Sequence, residues 1–154
     1  TASPVRSGGA ADPNATAYSW KLAGNSNNEK DFPLDTEWRE LWNNATGSAK
    51  TLTVHTVTDN VTLKDDECWL EVEYPGSSGS PVAYPISDGI ATPLTAGANQ
   101  SSSTETWTTT GLTTPVKQKL ECTFTPQNAG PIRFRVRMGK ASTTVYACPK
   151  AELS

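Results

Sequence analysis

The sequence predicts an all-β protein, an antiparallel β-sandwich of jelly-roll or immunoglobulin-like type with about nine strands. Alternation is the first reason. Val116, Gln118, Leu120, Cys122 and Phe124 fall on one face of an extended segment, and Lys117, Lys119, Glu121, Thr123 and Thr125 on the other, the period of two of a half-buried strand. Ile132, Phe134, Val136 and Met138 alternate in the same way with Arg133, Arg135 and Arg137. Each segment offers one apolar face, which a second sheet must cover. Composition is the second reason: 35% hydrophobic residues with abundant Thr and Ser suit short strands and polar loops better than helices. Punctuation is the third, because Gly, Pro, Asn and Asp recur between short apolar runs, as they do in sandwiches.

A chain of 154 residues has the size of one domain and buries roughly two-thirds of its unfolded surface without a metal or disulfide staple. Residues 1–16, TASPVRSGGAADPNAT, carry too little apolar surface to fold alone and are expected to be a flexible arm or linker. The single sandwich domain is expected over 17–154.

Ala17 to Leu22 reads as the first strand and GNSNNEKD as a polar loop. In FPLDTEWRELWN, Asp35 or Thr36 could cap a short helix, but Pro33 before it and Asn-Asn-Ala-Thr-Gly after it favour an extended edge, with Trp38 and Trp42 on one face. Thr51 to Val57 is β-branched and alternating, and Thr58-Asp59-Asn60 reads as its turn. Asp66 to Tyr74 points Cys68, Leu70, Val72 and Tyr74 inward and Trp69, Glu71 and Glu73 outward. Val82 to Ile86 reads as a short strand. Residues 87–115 form a long Thr/Ser/Gly/Pro-rich loop with one candidate strand at Trp107, a length that usually signals function or mobility. Val116 to Met138 is expected to form a hairpin turning through Pro126, Asn128, Gly130 and Pro131. Thr143 to Leu153 should then return against Arg133 to Met138.

Charge excludes some functions. With 13 Lys+Arg against 16 Asp+Glu and a net charge of −3, no broad cationic field exists to hold nucleic acid. No apolar run approaches the ~20 residues that span a bilayer, so neither nucleic acid nor membrane is an expected partner. No secretory signal pattern is present, and a chain opening at Thr1 with Met138 as its one methionine is expected either to have lost its initiator or to be a processed or excised segment.

Three cysteines are too few, and odd in number, for a secreted disulfide framework. Cys68 and Cys122 take inward positions where a free thiol acts as a small hydrophobe, although they would pair if adjacent. Cys148, between Ala147 and Pro149, has no obvious partner.

No catalytic, cofactor-binding or metal-binding residue is expected. His55, the sole histidine, lies in a strand with no nucleophile-bearing turn near it in sequence. Asp65-Asp66-Glu67 lacks the spaced Asp/Asn/Gly loop of a calcium site. Glu71 and Glu73 could flank a glycosidic bond, but opposing Lys117, Lys119 or the arginines across a sheet is the commoner role. The sequons at Asn14, Asn44, Asn60 and Asn99 arise readily in a chain rich in Asn, Ser and Thr.

The candidate partner contacts are Arg133, Arg135, Arg137, Trp38, Trp42 and Trp107. Three guanidinium groups about 7 Å apart along one strand would suit an acidic glycan or an acidic patch on a neighbouring subunit. The competing expectation is a solvated face balanced by Glu71, Glu73 and Glu121. The tryptophans, if exposed, would stack on sugar rings; if buried, they close one end of the sandwich.

The order AYSWKL, FPLDTEWRELWN, DDECWLEVEYPGSSGSP, the Trp107 segment and LTTPVKQKLECTFTPQNAGPIRFRVRMGKASTTVYACPKAEL resembles β-sandwich domains of tailed-bacteriophage virion structural proteins. The resemblance spans roughly residues 17–154, with EVEYPGSSGSP and TPQNAGPIRFRVRMGKASTTVYACPK as its best pieces. Cys122 and Cys148 depart from the residues usual at those places. The resemblance implies a virion surface protein assembled in the bacterial cytoplasm. The expected roles are a capsid decoration or cement protein, or a tail-fibre, spike or head-fibre domain. It implies a homotrimer, the major capsid protein or other virion subunits as partners, and a host-surface glycan in the appendage case. A secreted carbohydrate-binding module is a further alternative.

Overall fold

The computed structural model describes residues 3–6, 18–29, 32–44, 46–64, 67–74, 90–91, 101–102, 111–147 and 151–154. Among them are twelve strands and no helix. In chain order these are β1 (Ser3–Arg6), β2 (Tyr18–Ala23), β3 (Leu34–Asp35), β4 (Arg39–Asn43), β5 (Lys50–Asp59), β6 (Cys68–Glu73), β7 (Ile90–Ala91), β8 (Ser101–Ser102), β9 (Pro115–Phe124), β10 (Gly130–Met138), β11 (Thr144–Ala147) and β12 (Glu152–Leu153). Eight have four residues or more and four have two, on either side of the nine expected. Every pairing is antiparallel. The larger sheet runs β1-β2-β11-β5-β9-β8 with β12 beside β5, and the smaller runs β3-β10-β6-β7 with β4 also on β10.

Alternation decides what lies between the sheets. Trp20, Leu22, Leu52, Val54, Leu120 and Cys122 of the larger sheet share one core with Leu70, Val72, Ile132, Phe134 and Val136 of the smaller. Side chains of this kind contribute about 1.5–3 kcal/mol each when fully buried. Trp20 and Phe134 meet across the core edge to face, with ring centroids 6.4 Å apart. Cys68 and Cys122 are both buried, the small-hydrophobe outcome.

Two expected pairings are corrected. Val116 to Met138 is not a hairpin: β9 spends its length on β5, from Asp59↔Pro115 to Lys50↔Phe124, while β10 pairs β6, β4 and β3 in the other sheet. The connection between them arches across the core, and its Pro126 carbonyl accepts the Gly47 N–H at 2.8 Å. Two strands that face each other across a core show the same alternation as two that share a sheet, so the pattern reports burial and leaves the neighbour open. For the same reason the final segment does not return on β10. β11 lies between β2 and β5, and β12 lies on β5.

Of residues 1–16, Ser3–Arg6 forms an edge strand on β2. The expected strand at 82–86, most of loop 87–115, Trp107, Cys148 and Asp65-Asp66 lie outside the described residues. FPLDTEWRELWN is extended, as expected, and supplies β3 and β4.

Candidate functional site

The outer face of the smaller sheet holds five of the six candidate contacts, and a bulge sets its arrangement. Asp35 stands opposite Arg137, whereas Arg39 stands opposite Phe134. Three residues, Thr36 to Glu37 to Trp38, therefore face two on β10, so the edge carries one extra residue. Continued unbroken, the β3 register would set Trp38 opposite Phe134 and into the core. The extra residue moves it level with Arg135 on the outside. Thr36 secures the bulge: its N–H donates to the Val136 carbonyl and its Oγ1 accepts the Val136 N–H, both at 2.9 Å. Thr36 is 3% exposed, so neither bond is shared with solvent.

Three arginines from β10 then meet acids from both neighbouring strands. Arg133 is ion-paired with Glu73, its Nε donating at 2.9 Å. Arg135 donates through Nε to Glu71 at 2.5 Å and lies 3.8 Å from Asp35. Arg137 bridges the same two acids, Nε to Asp35 at 2.5 Å and Nη1 to Glu71 at 3.0 Å. The Trp38 ring packs against two of the cations, with the guanidinium carbons of Arg133 and Arg135 4.7 and 4.5 Å from its centroid. Arg137 lies 5.8 Å from the Trp69 ring on the other side. Such contacts add about 0.5–2 kcal/mol each, more as water is excluded.

Burial works against the Arg137 cation, yet the hydrogen bonds and charges of Glu71 and Asp35 outweigh it and hold its pKa above the ordinary value. The expected balancing acids are thus two-thirds right. Glu71 and Glu73 serve, but Glu121 sits on β9 in the other sheet, where Lys119 takes it at 2.9 Å, and Asp35 takes its place here. Asp35 reads in the sequence as a candidate helix cap, and only the β3–β10 register reveals its role. Trp69 faces outward as expected but is 5% exposed, with no hydrogen-bond partner for Nε1 among the described residues.

The tryptophans separate by exposure. Trp38 is half-buried under the arginines, whereas Trp42, opposite Pro131 at the end of the face, is 66% exposed. Its Nε1 donates to Asn44 Oδ1 at 2.6 Å, which holds the ring in one orientation. The structure therefore brings Trp38, Arg133, Arg135 and Arg137 together in one charge-balanced network, with Trp42 beyond it.

Residues outside this face show other chemistry. Burial pushes the Cys68 thiol up to about 12, with the charge of Glu67 adding to it, and burial pushes Cys122 up to about 11. A thiolate nucleophile at either position is correspondingly costly to form. His55 is buried on the outer side of β5, opposite Lys119. No group of three metal-ligating side chains occurs among the described residues.

Comparison of the chain with protein-family models, with curated proteins and with solved structures returns no match in any of the three.

Proposed function

We propose that this chain is a non-enzymatic structural protein of a bacteriophage virion surface, a capsid decoration or cement component that attaches to the major capsid protein as a homotrimer. Strand order is the observation that supports it. Setting the edge additions aside, the two sheets are β2-β11-β5-β9 and β4-β10-β6-β7. Four strands face four, and the chain passes from sheet to sheet at β2 to β3, β4 to β5, β5 to β6, β7 to β9, β9 to β10 and β10 to β11. That ordering favours the jelly-roll type of sandwich over the immunoglobulin type, and jelly rolls serve viral capsid and lectin domains. Fold alone does not imply function, so the sequence resemblance to phage structural domains is the second support. The charge-balanced face is a further one: with its arginines matched by carboxylates it suits a stable subunit surface better than an anion site.

The experiment is gradient separation of phage particles carrying this chain, with heads, tails and soluble protein assayed by quantitative mass spectrometry. Tens to hundreds of copies per head are expected, because many weak symmetric contacts hold by avidity. Recovery only in the soluble fraction overturns the virion reading.

The exposure of Trp42 supports a second reading, a receptor- or glycan-binding appendage domain in which Trp42 stacks on a sugar ring. A few copies travelling with tails, and loss of glycan binding in Trp42→Ala or Trp107→Ala, would replace the decoration role with this one.

A further inference from the structure

We propose that β1 is an exchangeable strand: the β2 edge of one copy accepts Ser3–Arg6 of a second copy in place of its own, so that homo-oligomers of this chain are joined by swapped arms. The inference stands on topology and does not rest on the virion reading.

The sheet edges differ in how they are closed. One edge of the smaller sheet carries the bulge and the exposed charges Glu37, Arg39 and Glu40, which are devices that discourage strand addition. Its other edge is the two-residue β7, and the far edge of the larger sheet is the two-residue β8. The β2 edge is a regular edge covered by a single short strand. Six residues, Tyr18–Ala23, present their outer main-chain groups there, and β1 covers the first four of them through the register Arg6↔Tyr18 to Ser3↔Lys21. Without β1 this edge would be an open template.

The strand that covers it is loosely tied. Among the described strands β1 pairs with β2 alone, its sequence SPVR holds one aliphatic residue, and Pro4 cannot donate to a ladder. Pairing of this kind is held chiefly by main-chain hydrogen bonds, which are the same whether the strand comes from the same chain or another. Residues 7–17 join β1 to β2, eleven residues where a hairpin usually needs two to five. Eleven residues reach up to about 40 Å when extended, far enough to span to a neighbouring subunit. Own and foreign strands therefore compete by effective concentration, and in a closed symmetric oligomer every arm given is matched by one received.

The test uses the full chain in a Cys148→Ser background. Val5 and Ser19 are directly opposite in the register, so Val5→Cys and Ser19→Cys are placed in separate chains with tags of different mass. The two are unfolded together, refolded and oxidised over a range of concentrations. A disulfide linking the two tags is expected, its yield rising with concentration and passing half near about 1 mM for free monomers, or at any concentration if the copies assemble. Ser3→Cys with Lys21→Cys, also opposite, should behave alike and guards against one pair that misfolds. An intrachain disulfide only, in the Val5→Cys/Ser19→Cys double variant at every concentration, would overturn exchange. So would the absence of any disulfide, because β1 would then not pair as described. Either failure leaves the particle copy-number test untouched, so the two proposals are separable.

Discussion

Gln118 shows how far parity alone carries a residue. Its place in the alternation puts it on the apolar face of β9, and it is 6% exposed, opposite Thr56. The reason a polar side chain belongs there lies 55 residues away: Oε1 accepts the Leu63 N–H at 2.8 Å and Nε2 donates to the Leu63 carbonyl at 3.2 Å. One side-chain amide thus does the work of a strand neighbour for a loop residue that has none, and no local pattern announces it. Gln118→Leu strands two buried backbone groups and should lower stability by about 2–4 kcal/mol in urea unfolding, with little change in slope. The exposed Thr51–Thr123 hydroxyl contact offers a control, and Thr123→Val should change stability by no more than about 0.5 kcal/mol. Cys68 and Cys122 were legible in the sequence, since inward parity predicted buried thiols. With their pKa values raised to about 12 and 11, neither should react with a thiol reagent at pH 8 in the native Cys148→Ser chain, and both should react once urea unfolds it. Fast labelling of the folded chain would contradict the burial.

At the scale of elements, the positions of strands were legible and their partners were not. FPLDTEWRELWN was recognisable as an edge with Trp38 and Trp42 on one face, but the extra residue at Thr36 to Trp38 appears only when its register against β10 is followed. That residue divides the tryptophans into different roles. Trp38→Ala removes the plate between two guanidinium groups and should cost about 1–3 kcal/mol of stability. Trp42→Ala should stay within about 0.5 kcal/mol, because its ring is 66% exposed; thermal unfolding of both variants checks the contrast. A second link between elements depends on pH. Glu67, just before β6, is ion-paired with Lys140 after β10 and accepts the Lys64 N–H at 2.7 Å. Burial raises its pKa, but the Lys140 hydrogen bond, the Lys64 N–H and both lysine charges outweigh it and hold the carboxyl below its ordinary 4.5. A carboxyl with a lowered folded-state pKa stabilises the fold above the unfolded value and loses that contribution as pH falls through the folded one. Glu67→Gln should therefore be less stable than the parent at pH 7, and the gap should close as pH is lowered past 4.5. A gap that persists in acid would assign the effect to packing.

At the scale of the whole molecule, all-β character and antiparallel sheets could be read from alternation and turn residues, whereas the division of strands between sheets could not. The final ordering interleaves the chain: β2 belongs to the larger sheet, β3 and β4 to the smaller, β5 to the larger, β6 and β7 to the smaller, β9 to the larger, β10 to the smaller and β11 to the larger. Neither sheet can then be completed before distant parts of the chain have crossed the core, since β5 waits for β9 and β6 waits for β10. Loop closure of that kind must precede the contacts that reward it, which places this domain among slow, non-local folders on the millisecond to second scale. The same interleaving couples the sheets at equilibrium. Losing β10 opens the core on β9 and β2 together, because Phe134 and Ile132 share one cluster with Trp20 and Leu120. Unfolding should thus be a single transition. Fluorescence of a variant keeping only Trp20, on the larger sheet, and of one keeping only Trp69, on the smaller, should each coincide with that variant's own far-UV circular dichroism in urea. Two resolved midpoints within one variant would mean that a sheet survives alone, which this chain order does not permit.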